Sequence, residues 1–170
     1  PYCAAFKINE QTGHVYYENE KNLIIESLDN IIKIKNQDKY VIYVHNLNFD
    51  GYLIISVLSK NKIDFQTFKR KLNLYWLKFN FLGKDFEFRC SYKILPLSLN
   101  SISKIDKNQK LLFPYRFVSK KTLNYLGNKP SIEYYNEITL NEYENEEEIL
   151  DLKQKTIKYC LKVVEITYNF

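Results

Sequence analysis

The chain has 170 residues, with 25 Lys and Arg against 20 Asp and Glu, a formal net charge of +5 and 45% hydrophobic residues. That length allows one domain with a sizeable core, and no apolar run approaches the roughly 18 residues that span a bilayer. Cys3, Cys90 and Cys160 are scattered, which suits neither a disulfide framework nor a zinc site and points to a reducing compartment. No signal sequence is legible at the start.

The chain begins with Pro1 and contains no methionine, so it reads as a piece of a longer reading frame. Asn, Lys, Ile, Tyr and Phe crowd it, while Gly, Pro and Trp are few. Those abundant residues share A/T-rich codons and point to the genome of an organelle, a linear plasmid or a virus. Charge is unevenly spread. Glu142 to Asp151 holds six acids and no base, so the other 160 residues carry 25 positive and 14 negative charges, or +11. A basic body of this size suits a polyanionic partner.

In chain order, Pro1–Ile8 and His14–Glu18 predict a β-hairpin turning near Gln11-Thr12-Gly13. Leu23, Ile24, Leu28, Ile31 and Ile32 recur at helical spacing and predict a helix over 22–35. Tyr40 to His45, β-branched and aromatic, reads as a buried strand. A polar break at Asn46 to Asp50 leads into Leu53, Ile54, Val57 and Leu58, the spacing of a packed helix over Asp50–Lys60. Asp50 stands where an N-cap is expected, facing the positive helix end. Such a strand–loop–helix junction, bearing His45, Asn46 and Asp50, suits metal or phosphate chemistry. Taken alone, the same pattern more often just caps a helix.

Leu72–Phe81 and Asp85–Tyr92 predict a hairpin around Leu82-Gly83-Lys84, with Phe86, Phe88 and Cys90 on one face and Glu87 and Arg89 on the other. A short helix is expected after Pro96, within 91–105. Residues 104–128 read as loop-rich; aromatic and basic side chains alternate there, as on single-strand stacking platforms, although core packing explains most of those rings. Residues 131–148 read as irregular. A final helix over 147–168 turns Leu152, Ile157, Cys160, Leu161 and Val164 inward, with later lysines complementing its dipole. The order predicts an α/β layered domain.

His45-Asn46-Leu47-Asn48-Phe49-Asp50-Gly51 resembles the second exonuclease motif of family B DNA polymerases, of form Asn-Leu-x-Phe-Asp, especially in the protein-primed type of linear mitochondrial plasmids and small phages. Four more stretches resemble that branch in order: Pro1–Phe6, Ser91-Tyr92-Lys93-Ile94-Leu95-Pro96, Phe113-Pro114-Tyr115 with Tyr125-Leu126-Gly127, and Tyr159-Cys160-Leu161-Lys162. The resemblance implies an α/β, ribonuclease H-like 3′–5′ exonuclease fold, a mixed sheet flanked by helices, over 1–170 as one truncated domain with its first strand missing. It further implies two divalent ions, Mg or Mn, in the parent enzyme, activating water and stabilising a leaving oxygen. Asp50 is the implied metal ligand and catalytic residue, and Tyr159 the implied orienter of the attacking water. His45, Asn46, Phe49 and Ser91 are the implied contacts to a single-stranded primer end. The implied partners are that DNA, the polymerase domain of the same parent chain and a terminal protein primer, and the implied setting is a mitochondrion, with a cytoplasmic linear plasmid or a virus as alternatives.

The departures are specific. The first motif, Asp-x-Glu, is expected before Pro1. Val163 stands where the third motif, Tyr-x-x-x-Asp, has its aspartate, on the helix face of Tyr159. Cys90 replaces the aspartate that commonly precedes the serine matching Ser91, and Glu165 points away from the Val163 face. One carboxylate of four cannot hold a two-metal centre, so this segment is expected to lack proofreading activity and to bind no such ions. The alternative is a non-catalytic single-stranded DNA-binding module derived from that domain. A stand-alone nuclease completed by another chain conflicts with Val163.

Overall fold

The structure is a computed structural model that describes residues 2–17, 22–99, 101–102, 111–136 and 138–169. Strands β1 (Cys3–Ile8) and β2 (Gln11–Tyr16) form an antiparallel hairpin in which Ile8 pairs with Gln11. The turn is therefore Asn9-Glu10, earlier than the expected Gln11-Thr12-Gly13. Asn9 takes the left-handed conformation, φ 51°, which its short polar side chain tolerates. Gly13 lies inside β2 opposite Phe6, whose ring comes within 2.5 Å of where a Gly13 Cβ would stand. That glycine makes room for a ring rather than making a turn.

Helix α1 (Leu23–Ile34) matches its predicted span. Asn22 caps it by accepting the Ile24 amide hydrogen at 3.2 Å, and Leu23, Leu28 and Ile31 are buried on one face. Strand β3 (Lys39–Val44) leads into α2 (Leu47–Lys60). Beyond α2 lie β4 (Phe65–Arg70), β5 (Asn73–Phe81) and β6 (Lys84–Cys90). The four strands form one mixed sheet in the order β3-β6-β5-β4, with β3 parallel to β6 and the other pairs antiparallel. β4 was not apparent as a strand in the sequence. The β3 edge away from β6 and the β1 edge away from β2 have no described strand partner.

Side chains alternate across a strand, and the inner face collects Tyr40, Leu77, Phe79, Phe86, Phe88 and Cys90 against Leu47, Ile54 and Leu58 of α2. Phe86 stacks on Tyr40 at 4.6 Å and on Phe79 at 5.5 Å. Each such ring or aliphatic side chain contributes about 1.5–3 kcal/mol when fully buried. This core supports the strand–helix junction that carries Asn46 to Asp50.

After a single turn of tighter helix at Ser91–Lys93, Ser98 starts the short helix expected after Pro96 by accepting the Ser101 amide hydrogen at 3.1 Å. The expected loop over 104–110 lies outside the described residues. β7 (Leu126–Asn128) pairs with β8 (Ile149–Asp151), a small sheet in place of purely irregular chain. Between them α3 (Leu140–Glu144) starts from a reciprocal Thr139–Glu142 cap, so 131–148 is more ordered than expected. β8 takes the residues expected to open the last helix, and α4 (Leu152–Tyr168) begins at its end, capped by Asp151. α4 buries Leu152, Thr156 and Ile166, while Ile157, Cys160, Leu161 and Val164 are half-buried. A second cluster of Phe113, Leu150 and Leu152 packs with Phe117, Tyr125 and Tyr159. Among the described residues no helix is long and apolar enough to cross a membrane.

Candidate functional site

The helix after β3 is capped by Asn46, not Asp50. Asn46 adopts φ 58° and ψ 62°, a left-handed conformation that asparagine tolerates better than most residues, and α2 starts immediately after it. The correction moves Asp50 into the first turn of the helix, where a carboxylate still meets the positive helix end. Asn46 makes no side-chain cap bond. The Leu47 amide instead donates to Cys90 Sγ at 3.4 Å, so the thiol at the end of β6 satisfies one of the orphan donors of the first turn.

Two further contacts seat the junction. Asn48 Oδ1 accepts the Leu74 amide hydrogen at 2.6 Å, and Asn48 Nδ2 donates to Asn73 Oδ1 at 3.1 Å. A Cβ on Gly51 would lie 2.5 Å from Leu74 Cδ2 and 3.2 Å from Leu47 Cγ, so glycine lets α2 lie against β5. With Leu47 and Gly51 facing in, Phe49 projects outward and is 75% exposed.

His45 is half-buried and engaged. Its Nδ1 lies 3.4 Å from Ser91 Oγ, its ring donates to the Leu97 carbonyl, and Tyr92 meets it edge-on at 5.6 Å. Burial lowers its pKa below the ordinary histidine value, which keeps it neutral at pH 7. Ser91 thus joins His45 in holding the end of β3 to the segment after β6.

Burial raises the Asp50 carboxyl above its ordinary pKa. Its charge is felt at the Cys160 thiol on α4, where it opposes ionisation. Cys160 is hydrogen-bonded to Cys3 of β1. That bond lowers the Cys160 pKa and is the main cause of the raised Cys3 pKa. Tyr159 stacks on Phe113 at 4.8 Å and pairs its hydroxyl with that of Tyr115; burial and that bond push its phenol pKa well up. Val163, one turn further along α4, is half-buried and offers only methyl groups. Glu165 pairs with Lys162 at 2.9 Å.

His45, Asn46, Phe49, Asp50 and Ser91 therefore gather where β3, α2 and the end of β6 meet, while Tyr159 and Val163 come from α4. Sequence reasoning gave no role to Asn48, Tyr115 or Cys3. Asn48 lay inside the motif, but its partner is a strand 26 residues away; Tyr115 and Cys3 carry no local signal for theirs.

Divalent ions such as Mg and Mn need several oxygen ligands. Asp50 supplies one carboxylate, Val163 none, and Cys160 a soft thiol. Among the described residues, no group of three or more His, Cys, Asp or Glu is placed to hold a metal. This donor set does not fit a two-metal centre.

The family model described as DNA polymerase type B, organellar and viral, matches residues 31–170. The chain belongs to the organellar and viral type B DNA polymerases. A probable DNA polymerase of Agaricus bitorquis is 32% identical over 184 residues, covering 95% of this chain. Another, of Podospora anserina, is 36% identical over 162 residues, covering 87%. This type B segment spans 23% and 13% of the lengths of those two proteins. Its fold is similar to that of Phi29 DNA polymerase complexed with primer-template DNA, at a TM-score of 0.53 and 19% identity over 92% of this chain and 24% of that one. With the same polymerase complexed with single-stranded DNA the TM-score is 0.52 at 18% identity, with the same coverage. The mixed α/β fold expected for a type B polymerase segment is thus the one found.

Proposed function

We propose that this segment is the 3′–5′ exonuclease region of a protein-primed DNA polymerase, keeping its grip on a single-stranded primer end but lacking the ligands for proofreading. The observation that carries the reading is Val163, which stands on α4 one turn beyond Tyr159, where the resemblance expects an aspartate. A valine cannot coordinate a cation, so the third-motif position contributes none of the charge that two divalent ions need. The parent activity is template-directed nucleotide addition, performed by a polymerase domain elsewhere in a longer chain.

The grip has a separate basis. Phe49 offers an exposed ring at the helix start, a stacking surface for an unpaired base. Asn46 stands beside it with its amide unused by the helix cap. His45 and Ser91 serve this grip by fixing the loop. Phe49 also favours the closely related reading of a non-catalytic single-strand-binding module, which differs only in requiring no polymerase domain.

The test is a 3′-mismatched primer incubated with the chain and Mg or Mn. Nucleotide release is expected to stay at background, while single-stranded oligonucleotide binding weakens with salt as counterions are released. Release that disappears in Asp50→Ala would overturn the inactive reading. A flat salt response would overturn the grip.

A further inference from the structure

The face of the four-stranded sheet turned away from the core is not accounted for by the site above. Its register places Tyr43 of β3 beside Arg89 of β6, Arg89 beside Trp76 of β5, and Trp76 beside Phe68 of β4. One continuous row thus crosses all four strands on the side opposite Val44, Cys90 and Leu77. Tyr43 is 50% and Phe68 49% exposed, and no described helix packs over them. Trp76 lies between, stacked on Phe68 with centroids 6.2 Å apart, and Arg89 is hydrogen-bonded to Tyr43.

The next row carries the charge. Glu87 is ringed by Arg89 at 2.8 Å, Lys78 at 3.5 Å and Lys39 at 3.7 Å. Three cations surround one acid, and Lys78 Nζ also sits 4.7 Å above the Trp76 ring. From this we propose that the outer sheet face, centred on Tyr43, Arg89, Trp76 and Phe68, is a second binding surface, for single-stranded nucleic acid. Open four-stranded sheets bearing exposed aromatic rings are a recurrent way of stacking unpaired bases, and neighbouring cations take the phosphates. Tyr43 and Phe68 are the open stacking faces at either end of the row. Arg89, Lys78 and Lys39 serve the backbone.

The charge distribution argues against other occupants. Lysine is depleted at protein-docking faces, whereas here Lys78 lies over the central Trp76 ring and Lys39 stands beside Glu87. Two copies meeting face to face would oppose like charges. The inference goes beyond the Asp50 site and stands independently of it, because it uses the opposite side of the sheet.

Trp76 is the only tryptophan of the chain, so its fluorescence reads this face alone. Titration of the 170-residue chain with short oligothymidylate is expected to quench that emission saturably and to lose the effect with added salt. Tyr43→Ala and Phe68→Ala should each weaken the response roughly tenfold. Lys78→Gln, on an exposed side chain, should weaken it and flatten its salt dependence. Phe49→Ala should lower affinity for 3′ ends and leave the quenching intact. No quenching, or quenching unchanged in Tyr43→Ala and Phe68→Ala, overturns the surface. Quenching lost in Phe49→Ala shows a single shared site and overturns it too. A concentration-dependent dimer in sedimentation that hides Trp76 from the oligonucleotide would assign the face to a second copy instead.

Discussion

Asn48 Oδ1 accepts the Leu74 amide hydrogen at 2.6 Å, and that bond fastens the start of α2 to the sheet. The pairing of β5 with β6 ends at Trp76 and Arg89. Beyond that point the Leu74 amide bonds to the Asn48 side chain, within a residue that is fully buried. A buried donor left without an acceptor costs about 1–3 kcal/mol. Asn48→Ala is therefore expected to lower the unfolding free energy by that much, read as a lower urea midpoint at an unchanged m value. Asn48→Asp keeps the acceptor for Leu74 and loses only the donor to Asn73, so it should recover part of the loss.

Gly51 offers a second test of the same joint. Elsewhere in a helix, Gly→Ala gains up to about 1 kcal/mol in propensity. Here the added methyl would meet Leu74 Cδ2 at 2.5 Å, and Leu74 has no exposed surface to move into. Overpacking of this kind costs about 1–3 kcal/mol, so Gly51→Ala is expected to lower the melting temperature. A rise would mean that α2 slides freely on β5.

How much of this was legible beforehand depended on the period and length of each element. Leu23, Leu28 and Ile31 repeat over three turns, and α1 followed from them directly. Phe65–Arg70 is short and one-third basic, and becomes a strand only because β5 offers it a ladder; without β4 the row through Phe68 could not be seen. Ile149 and Leu150 sit in an acidic run and pair with β7 only through the fold. Asp50 reads as the cap because its side chain suits that role, while the backbone reverses four residues earlier at Asn46. The motif itself was recognisable from its residue types. The electrostatic influence of Asp50 on Cys160, 110 positions away, depends on the tertiary fold, which no local pattern encodes.

Glu87 gives a pH prediction. It is covered by the long side chains of Lys39, Lys78 and Arg89 rather than enclosed in the core. The hydrogen bond from Arg89, opposed by partial desolvation and helped by Lys78, holds its carboxyl below the ordinary value of 4.5. The unfolded chain therefore binds more protons in that window, and stability rises with pH there. The contribution is complete above the unfolded pKa and is lost as pH falls through the lower, folded one. Because the cations are partly exposed, about 1 kcal/mol is the appropriate scale. Glu87→Gln is expected to melt lower than the parent at pH 7, with the two curves converging in acid. A difference that persists below the folded pKa would point to packing rather than charge.

Phe49 separates binding from stability most cleanly. It sits between Leu47 and Gly51, both buried, yet 75% of it is exposed, so its ring adds little to the core. Surface substitutions away from packing features usually change stability by less than about 0.5 kcal/mol, and Phe49→Ala should melt within that range of the parent. Stacking of an unpaired base on an aromatic ring is worth about 1–3 kcal/mol. Affinity for a single-stranded 3′ end should accordingly fall by about tenfold or more, measured by anisotropy at fixed salt. Phe49→Tyr, which keeps the ring, should restore it. If Phe49→Ala binds as tightly as the parent, the exposed ring is not the grip, and the single-strand reading of the Asn46–Asp50 junction fails with it.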